Sequence, residues 1–297
     1  MEQRPNTEVT LTDKEREILI KYFPKGVCAF DLEMTGLSPI FDRIIEIAGI
    51  KLLPDGSVET FHSLVNPLIT IPEHTIKYHG LTNENLRDAP TLKKPLKDFL
   101  DFVGDLPLIA HNGMFDASFL IIGMNQFNYC AGLSDVFDSC KFARSIYKQK
   151  IDRDFLPENF KLSSLAKFYQ FEFTHHEAVD DAFISLKIFA QCLIEYKISD
   201  PLLPLKEHSF LFKLNSFKDA GHYILPSKLL EIKELVQTQT IFKIKYKGGT
   251  VNKDDFRSIK PLSILALPQG LVLYAECQIA HTNKYFKIKK IQSIKVE

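Results

Sequence analysis

AFDLEMTGL, residues 29–37, places two carboxylates, Asp31 and Glu33, inside an apolar run. Residues 26–33 have the composition of a strand, and side chains on a strand alternate between its two faces. Asp31 and Glu33 therefore share one face about 7 Å apart. Two anions at that distance repel by about 2 kcal/mol at an effective dielectric constant of about 20. The pair predicts either a solvated strand face or a cation that holds both charges.

The composition is typical of soluble globular proteins. The 297 residues are 45% hydrophobic and 25% charged, which is enough chain for about two domains. No apolar run is long enough to span a bilayer, and the polar residues 1–16 lack the pattern of a secretion signal. The five cysteines are scattered without a Cys-x-x-Cys pair. This spacing predicts neither a zinc knuckle nor a disulfide framework and favours a reducing cytoplasm.

Charge is unevenly distributed along the chain, although the net charge is zero. Residues 201–297 contain 16 Lys and Arg against 8 Asp and Glu, a net charge of +8. This leaves 21 basic and 29 acidic residues, a net charge of −8, for residues 1–200. An acidic module followed by a basic one is expected. The basic module is a candidate for nucleic-acid binding, and the alternative is a solvated lysine-rich surface.

The pattern of apolar residues predicts an α/β domain followed by an all-β domain. A short helix is expected near the N-terminus, with Thr12 and Glu15 as its capping box. A hairpin is expected around Asp55-Gly56. Short strands then alternate with amphipathic helices, which predicts a mixed sheet flanked by helices. The expected divisions are an N-terminal helical extension (1–25), the α/β domain (26–197), a proline-containing linker (198–225) and a small all-β barrel domain (226–297).

Two further stretches place acidic residues in apolar sequence. AHNGMFDASFL has Asp116 at the start of a predicted helix, and HHEAVDDAF has Asp181 within another, five residues after His176. Five residues turn a helix by about 500°, so His176 and Asp181 do not share a helix face. His176 is therefore expected on the loop that enters the helix. Four carboxylates from three separate elements are candidates for one acidic site.

Taken together and in this order, FDLEMTGL, HNGMFDASFL and HEAVDDA resemble the three motifs of the DEDDh 3′→5′ exonucleases. The most similar type is the proofreading subunit of bacterial DNA polymerase III, and the resemblance covers about residues 26–196. It implies an RNase H-like fold with His176 as the general base and with four metal ligands: Asp31, Glu33, Asp116 and Asp181. The family pattern His-x-Ala-x-x-Asp-Ala fits this frame. It does not fit the alternative frame of His175 and Asp180, which are expected to be exposed residues at the helix entry.

The resemblance also implies a pocket for the terminal nucleotide. The backbone and side chains of three residues are expected to cradle it: Met34, Thr35 and Leu37. Three further residues are expected to line the pocket: His79, Asn112 and Phe115. A turn histidine at position 79, a turn or cap residue at 112 and a core residue at 115 remain alternatives. DLEMTGL is closer to the oligoribonuclease branch of the superfamily whereas HNGMFD is not, so both DNA and RNA stay open as substrates.

The acidic site has the chemistry of phosphodiester hydrolysis. Carboxylate oxygens suit Mg²⁺ or Mn²⁺, and two such ions about 4 Å apart clamp the attacking and leaving oxygens. A histidine that titrates near neutral pH can deprotonate the attacking water. The expected function is a metal-dependent 3′→5′ exonuclease on single-stranded DNA ends, with release of nucleoside 5′-monophosphates. The alternatives are a 3′→5′ exoribonuclease on short RNA and a catalytically silent nucleic-acid-sensing regulator, against which the complete set of five active-site residues argues.

The basic C-terminal part resembles a WYL-type domain, an SH3/Sm-like barrel. The stretches that match are IKYKGG, FRSIKPL and FKIKKIQSI, while LVLYA stands where the Trp-Tyr-Leu signature belongs and the chain has no Trp. The resemblance implies an anionic or nucleic-acid ligand contacted by Arg257. A salt bridge or a solvated position for Arg257 remains the alternative, as does a barrel that holds the substrate strand through its phosphates. The sequence has no convincing sliding-clamp peptide of the Gln-x-x-Leu-Phe kind, which favours a stand-alone nuclease.

Overall fold

A computed structural model of the protein describes residues 10–130, 132, 134–147, 156–172, 177–196, 203–217, 223–248 and 256–296. The chain divides into two compact units. The first unit comprises Met1–Thr35, Ile44–Ala117 and Cys130–Asn215. The second unit comprises Ser216–Glu297 together with two short segments from the first half of the chain, Gly36–Arg43 and Ser118–Tyr129.

The first unit contains a mixed six-stranded sheet in the order β3-β2-β1-β4-β5-β6. β1 pairs with β2 antiparallel and with β4 in parallel. The strands are β1 (Val27–Met34), β2 (Ile44–Leu52), β3 (Val58–Leu64), β4 (Leu108–Ala110), β5 (Asp135–Asp138) and β6 (Phe210–Lys213). The helices that precede or follow them are α1 (Asp13–Tyr22), α2 (Glu73–His79), α3 (Asn83–Leu86), α4 (Lys93–Val103), α5 (Met114–Phe127), α6 (Ser139–Tyr147), α7 (Leu162–Phe168), α8 (Ala178–Glu195) and α9 (Leu203–His208).

Alternation along β1 decides what each face of this sheet packs against. Ala29 joins an apolar core with Leu186 of α8, while the ring of Phe30 lies 5.9 Å from that of Phe99 in α4. Helices therefore cover both faces, which confirms the predicted mixed sheet flanked by helices. Because Asp31 follows Ala29 by two residues, its side chain points to the face that α8 covers.

Two local predictions in the first unit are confirmed. Thr12 and Glu15 form the capping box of α1: the Thr12 hydroxyl accepts from the Glu15 amide at 3.3 Å, and the Glu15 carboxylate accepts from the Thr12 amide at 2.9 Å. β2 and β3 form the predicted hairpin, and Asp55 in its turn accepts from the Ser57 amide at 2.9 Å. Both motifs are local, so the sequence specifies them without help from distant contacts.

Part of the expected linker is regular structure. Residues 203–213, which fall within the predicted linker 198–225, form α9 and β6, and β6 pairs antiparallel with β5 through Phe212 and Val136. Phe212 is buried in this edge strand. Prolines upstream indicated a linker, but the apolar residues of a four-residue strand gain more by pairing at the sheet edge than by remaining solvated.

The second unit contains a five-stranded sheet in the order β10-β9-β8-β7-β11, with every neighbouring pair antiparallel. This confirms the predicted all-β C-terminal part, and closure into a WYL-like barrel stays a prediction. A 3₁₀ turn (Ser227–Leu229) and a short helix precede the strands of this sheet. The elements are α10 (Ile232–Gln237), β7 (Phe242–Tyr246), β8 (Arg257–Leu267), β9 (Gly270–Cys277), β10 (Thr282–Lys287) and β11 (Ile291–Lys295).

Strand β8 hydrogen bonds to both short segments that belong to the second unit. The Ser263 hydroxyl donates to the Leu37 carbonyl, and the Ile264 amide donates to the Ser38 hydroxyl at 3.1 Å. The Ser118 hydroxyl donates to the Ala266 carbonyl at 2.9 Å. These bonds explain why residues 36–43 group with a sheet more than 200 positions later in the chain.

Segment 36–43 is also folded on itself. Asp42 accepts from the Ser38 amide at 2.8 Å, and a Cβ atom at Gly36 would lie 2.5 Å from Asp42 Cγ. Glycine at position 36 is therefore needed for the close approach of the Asp42 carboxylate. None of the helices within the described ranges combines the length and apolar character that a bilayer crossing requires.

Candidate metal centre and active site

Three carboxylates converge near the end of β1. Asp31, Glu33 and Asp181 each offer one oxygen, and these oxygens lie within 4.8 Å of one another. Asp181 lies in the first turn of α8 and is only 5% exposed. The amino-terminal end of a helix favours a negative charge, and the apolar face of α8 fixes that end against the sheet. Sequence alternation and helix packing together bring the predicted ligands into one cluster.

Asp116 lies in the first turn of α5 and is 6% exposed. Its carboxylate is hydrogen bonded by the backbone amide of Leu32, the residue between Asp31 and Glu33. Burial raises the pKa of Asp116 to about 7, although its backbone hydrogen bonds act in the opposite direction. The Leu32 contact places the fourth predicted ligand beside β1.

Burial and mutual repulsion raise the pKa values of the two β1 carboxylates. The pKa of Asp31 lies well above its ordinary value, chiefly through burial and then through the charges of Asp116, Asp181 and Glu33. Burial, followed by the charge of Glu46, raises the pKa of Glu33 to about 9. The convergence of three carboxylate oxygens within 4.8 Å fits the cation alternative. The oxygen-only donor set fits a hard divalent cation such as Mg²⁺ or Mn²⁺.

Glu46 is a buried acidic residue that sequence reasoning missed. It lies on β2 directly opposite Glu33 in the antiparallel ladder and is 1% exposed. One of its carboxylate oxygens lies 2.6 Å from Nε2 of His62. An acidic residue inside the apolar stretch DRIIEIAGI is the same kind of signal that drew attention to Asp31. The pairing that places it opposite Glu33 is not visible in the sequence.

The β1–β2 ladder shifts register immediately after Glu33. Glu33 pairs with Glu46, whereas Met34 pairs with Ile44, so one residue of β2 is left over. Such irregularities redirect the side chains that follow and are common beside active sites. Met34 is half-buried and Thr35 buried.

Segment 36–43 begins one residue after Thr35, and Leu37 within it is 48% exposed. The predicted cradle residues therefore adjoin the carboxylates along the chain. An exposed leucine at this position is available to an incoming ligand.

Asp138 is the second buried acid that the sequence interpretation missed. Its Oδ1 accepts from the backbone amides of Lys141 at 3.0 Å and of Asn112 at 3.2 Å. The first bond caps α6, and the second holds the turn that leads to α5 and Asp116. Burial raises the pKa of Asp138 to about 6, against the effect of these hydrogen bonds. Asp138 is thus a positioning residue for the turn before Asp116.

Two predicted pocket residues lie in this turn. Asn112 has a left-handed backbone conformation, with φ of 56°, and is exposed. Its carbonyl accepts from the Phe115 amide at 3.0 Å, and Phe115 is half-buried. The turn role of Asn112 is therefore established, and a substrate contact by either side chain stays a prediction.

The buried histidine His111 connects this turn to the segment before α7. Its Nδ1 lies 2.8 Å from the Ser139 hydroxyl, and its Nε2 lies 3.0 Å from the Phe160 carbonyl. Burial lowers the pKa of His111 to about 4, so the ring is neutral at pH 7. Because a carbonyl can only accept, Nε2–H donates to Phe160 and Nδ1 accepts from Ser139. His111 thus has a structural role.

The remaining histidine predictions have different outcomes. His79 is buried, and its Nδ1 accepts from the Leu81 amide at 3.0 Å. His79 therefore holds a turn, and its lining of a nucleotide pocket stays a prediction. His175 and His176, including the predicted general base, lie outside the described residues.

Asp180 is 2% exposed. The prediction that it is exposed is wrong, because residues on nearly every side of α8 are buried.

Arg257 lies at the start of β8, opposite Ile244 of β7. Its guanidinium lies over the ring of Phe286, 5.7 Å from the centroid. Both neighbours are buried. The position is half-buried and packed against an aromatic ring, and a ligand contact by Arg257 stays a prediction.

The comparisons with known proteins match the part of the chain that contains the acidic cluster. The model of the exonuclease family RNase_T matches residues 28–189. A PolC-type DNA polymerase III of Oceanobacillus iheyensis is 36% identical over 180 residues, which cover 58% of this chain and 12% of the relative. The PolC-type enzyme of Staphylococcus aureus is 29% identical over 274 residues, which cover 91% of this chain and 18% of the relative. The chain thus spans less than a fifth of the length of these relatives.

Among solved structures, the nuclease domain of 3′hExo, a DEDDh family member bound to rAMP, resembles this chain. The two have a TM-score of 0.49 and 21% sequence identity, over 59% of this chain and 94% of the other.

Proposed function

Because the chain belongs to the RNase_T exonuclease family, we propose that it is a metal-dependent 3′→5′ exonuclease that releases nucleoside 5′-monophosphates from single-stranded DNA. The observation that carries this proposal is the convergence of Asp31, Glu33 and Asp181 within 4.8 Å. All three lie within the part of the chain that the family model matches. So do Asp116 and His176, which complete the predicted set.

Each residue of the set has a proposed task. Asp31, Glu33, Asp116 and Asp181 hold two divalent cations, Mg²⁺ or Mn²⁺. The cations, when bound, supply Lewis-acid stabilisation of the phosphodiester oxygens. Since the pKa of Glu33 is raised to about 9, cation binding at neutral pH releases protons from the site. His176 takes the proton of the attacking water.

The terminal nucleotide is proposed to contact the segment that follows Glu33. Leu37 is the member with the most exposed side chain, and an apolar side chain there can pack on a base. Met34 and Thr35 contribute mainly through the backbone, since Thr35 is buried. His79 and Phe115 are proposed to form the wall of this pocket.

Two observations bear on the choice between DNA and RNA. The 274-residue similarity to the Staphylococcus aureus DNA polymerase covers 91% of this chain, which supports DNA. DLEMTGL in the first motif resembles the oligoribonuclease branch, which favours RNA. We therefore propose DNA as the substrate and keep 3′→5′ exoribonuclease activity on short RNA as the second candidate.

The proposal extends to the second unit and to the compartment. We propose a WYL-like fold for the five-stranded sheet, with an anionic or nucleic-acid ligand, supported by the net charge of +8 over residues 201–297. All five cysteines are free and four of them are buried. Free buried thiols are typical of a reducing compartment, which supports a cytoplasmic location.

Product analysis on end-labelled oligomers tests the function directly. Single-stranded DNA and RNA, each labelled at the 3′ or the 5′ end, are incubated with the protein in Mn²⁺ or in EDTA. We expect Mn²⁺-dependent release of 5′-mononucleotides from the 3′ end, abolished in Asp31→Ala and unchanged in Asp88→Ala, whose side chain is 82% exposed. The preferred polymer identifies the substrate. Absence of mononucleotide release from both polymers would contradict the proposal.

A further inference from the structure

One face of the five-stranded sheet can be assigned from its ladder register. Partners that lie directly opposite in an antiparallel pair project their side chains to the same face. Lys243 pairs with Ser258 and with Lys295, and Lys245 pairs with Ser293. None of these five residues is buried.

The alternate positions form the opposite face of this sheet. Phe242 and Ile244 of β7, Ile259 of β8 and Ala275 of β9 are at most 1% exposed. The alternation is therefore consistent over neighbouring strands, and the lysines lie on the solvated face.

The same face continues across β8, β9 and β10. Lys260 pairs with Glu276, and Glu276 pairs with Asn283. Over the described strands, the face thus combines the lysines 243, 245, 260 and 295 with one carboxylate, Glu276. We call this surface the lysine–tyrosine face, because two tyrosines complete it: Tyr274 and Tyr285.

Tyr274 and Tyr285 pair directly across β9 and β10. Their rings are stacked, with centroids 4.8 Å apart and an interplanar angle of 29°. Asn283 donates to the Tyr274 hydroxyl at 2.8 Å, which fixes that ring. Tyr285 is 47% exposed. A preformed, half-exposed aromatic platform on the same face as lysines is an arrangement on which unpaired bases stack while their phosphates meet positive charge.

The lysine–tyrosine face borders segment 36–43. Ser263 lies opposite Tyr274 in the β8–β9 ladder. Ser263 also donates to the Leu37 carbonyl, and Leu37 is the exposed residue that follows the first acidic motif. Two register positions therefore connect the tyrosine pair to the segment for which a terminal-nucleotide contact is proposed.

We propose that the lysine–tyrosine face binds the single-stranded nucleic acid on the 5′ side of the nucleotide that contacts Leu37. The inference that the bound strand is a substrate rests on the proposed exonuclease function. The binding itself does not require catalysis. The occupant is a single strand because the platform presents ring faces, which stack on unpaired bases and have no access to bases stacked within a duplex. The sequence of the strand is not read, since the face offers charge and stacking.

Equilibrium binding of a labelled 20-mer to the full chain in EDTA, where no hydrolysis occurs, tests the face. We expect Tyr285→Ala to weaken binding about tenfold, since loss of one base-stacking contact costs a factor of that order. Tyr285→Phe should retain binding and so shows that the hairpin is folded. Ile279→Ala, at an exposed position between β9 and β10, is the matched control and should bind as wild type does.

Salt titration tests the lysines separately. Each phosphate contact to a single strand contributes about 0.7 to the slope of log K against log salt concentration. The double variant Lys243→Gln/Lys245→Gln should therefore reduce the slope by about 1.4. Lys94→Gln, at an exposed position of α4 in the first unit, removes one charge elsewhere and should leave the slope unchanged.

Substrate length separates this proposal from the exonuclease proposal. In Mn²⁺, the face variants should raise KM for a 20-mer about tenfold and leave kcat and KM unchanged for the 4-nitrophenyl ester of thymidine 5′-monophosphate, because that substrate has no nucleotide on the 5′ side. Wild-type affinity and salt slope in all face variants would overturn the inference even if the enzyme is active. An inactive wild-type protein whose binding still depends on Tyr285 would overturn the function and support the face.

Discussion

The acidic cluster of the six-stranded sheet lies in half-buried and buried positions, whereas the five-stranded sheet carries lysines on a solvated face. In the first sheet, burial and mutual repulsion hold the pKa values of Asp31 and Glu33 far above the ordinary range. In the second, the lysines of β7 are half-buried beside polar neighbours. The acidic cluster therefore lowers the folding stability of the chain, whereas the basic face has almost no effect on it.

Because of this difference, the two regions are expected to respond differently to a ligand. Desolvated carboxylates are destabilising until a cation compensates them, so ligand binding and stability are strongly coupled there. Lysines on a solvated face are stable without a ligand, so the binding proposed there should show in affinity and salt dependence with little effect on folding. The predictions below test this contrast, from the largest expected effect to the smallest.

Removal of one carboxylate of the acidic cluster should give the largest effect, with activity and stability changing in opposite directions. Asp31→Asn keeps the side-chain shape but removes a charge that Asp116 and Asp181 repel. We expect single-turnover hydrolysis to fall about a thousandfold or more, since Lewis-acid stabilisation is worth several kcal/mol. The free energy of unfolding in EDTA should rise by on the order of 1 kcal/mol. A loss of stability in EDTA would contradict the assignment of repulsion to this cluster.

The metal-free protein should lose stability as pH rises. Glu33 has a pKa of about 9 in the folded state against 4.5 ordinarily, and Asp116 about 7 against 3.8. Between those limits the folded state binds more protons than the unfolded state, so the free energy of unfolding decreases with pH. Urea unfolding in EDTA should show a decrease on the order of 2 kcal/mol from pH 5 to pH 8.5, after allowance for solvent screening.

Addition of Mn²⁺ should flatten this pH dependence, because a bound cation stabilises the deprotonated carboxylates. Glu33→Gln should flatten it in EDTA as well, whereas the exposed control Asp88→Asn should not. A metal-free protein equally stable at pH 5 and pH 8.5 would show that the carboxylates are solvated.

A moderate effect is expected at Asp138, a buried acid whose carboxylate accepts two backbone hydrogen bonds and also repels Asp116. Asp138→Ala leaves the backbone amides of Lys141 and Asn112 without this acceptor, which should cost about 2 kcal/mol of unfolding free energy. Activity should fall about tenfold, because the Asn112 turn precedes Asp116. Asp138→Asn retains an acceptor oxygen and should keep most of both properties. Equal losses in the two variants would show that charge, and not hydrogen bonding, is what position 138 requires.

The smallest effect is expected at Ser263, in the uncharged part of the second unit. Ser263→Ala removes the hydrogen bond to the Leu37 carbonyl and should lower the unfolding free energy by about 1 kcal/mol. It should raise KM more than it lowers kcat, because segment 36–43 contacts substrate in the proposed function. Ser118→Ala, which removes the comparable bond to Ala266, is the matched control and should lower stability without changing KM. If both variants have the wild-type KM, segment 36–43 does not contribute to substrate binding.

Short-range features of this protein are determined by the sequence itself. Period-two alternation places Asp31 and Glu33 on one face of β1, and the capping box of α1 and the β2–β3 hairpin are formed by residues a few positions apart. The acidic motifs likewise name Asp31, Glu33 and Asp181, the carboxylates that the structure brings together. Each of these depends on backbone geometry within one element or one turn, which local sequence specifies.

Only the tertiary structure decided which contacts form between elements that are distant in sequence. Glu46 lies opposite Glu33 through the β1–β2 register, and Asp138 binds the Asn112 amide 26 positions away. Segment 36–43 joins a sheet whose strand β8 begins more than 200 residues later. Register and long-range packing are selected by the total burial and hydrogen bonding of the folded chain, to which any single residue contributes only a small part. The sequence by itself could therefore name the carboxylates of the acidic cluster but not the positions of Glu46 and Asp138 or the hydrogen bonds between segment 36–43 and β8.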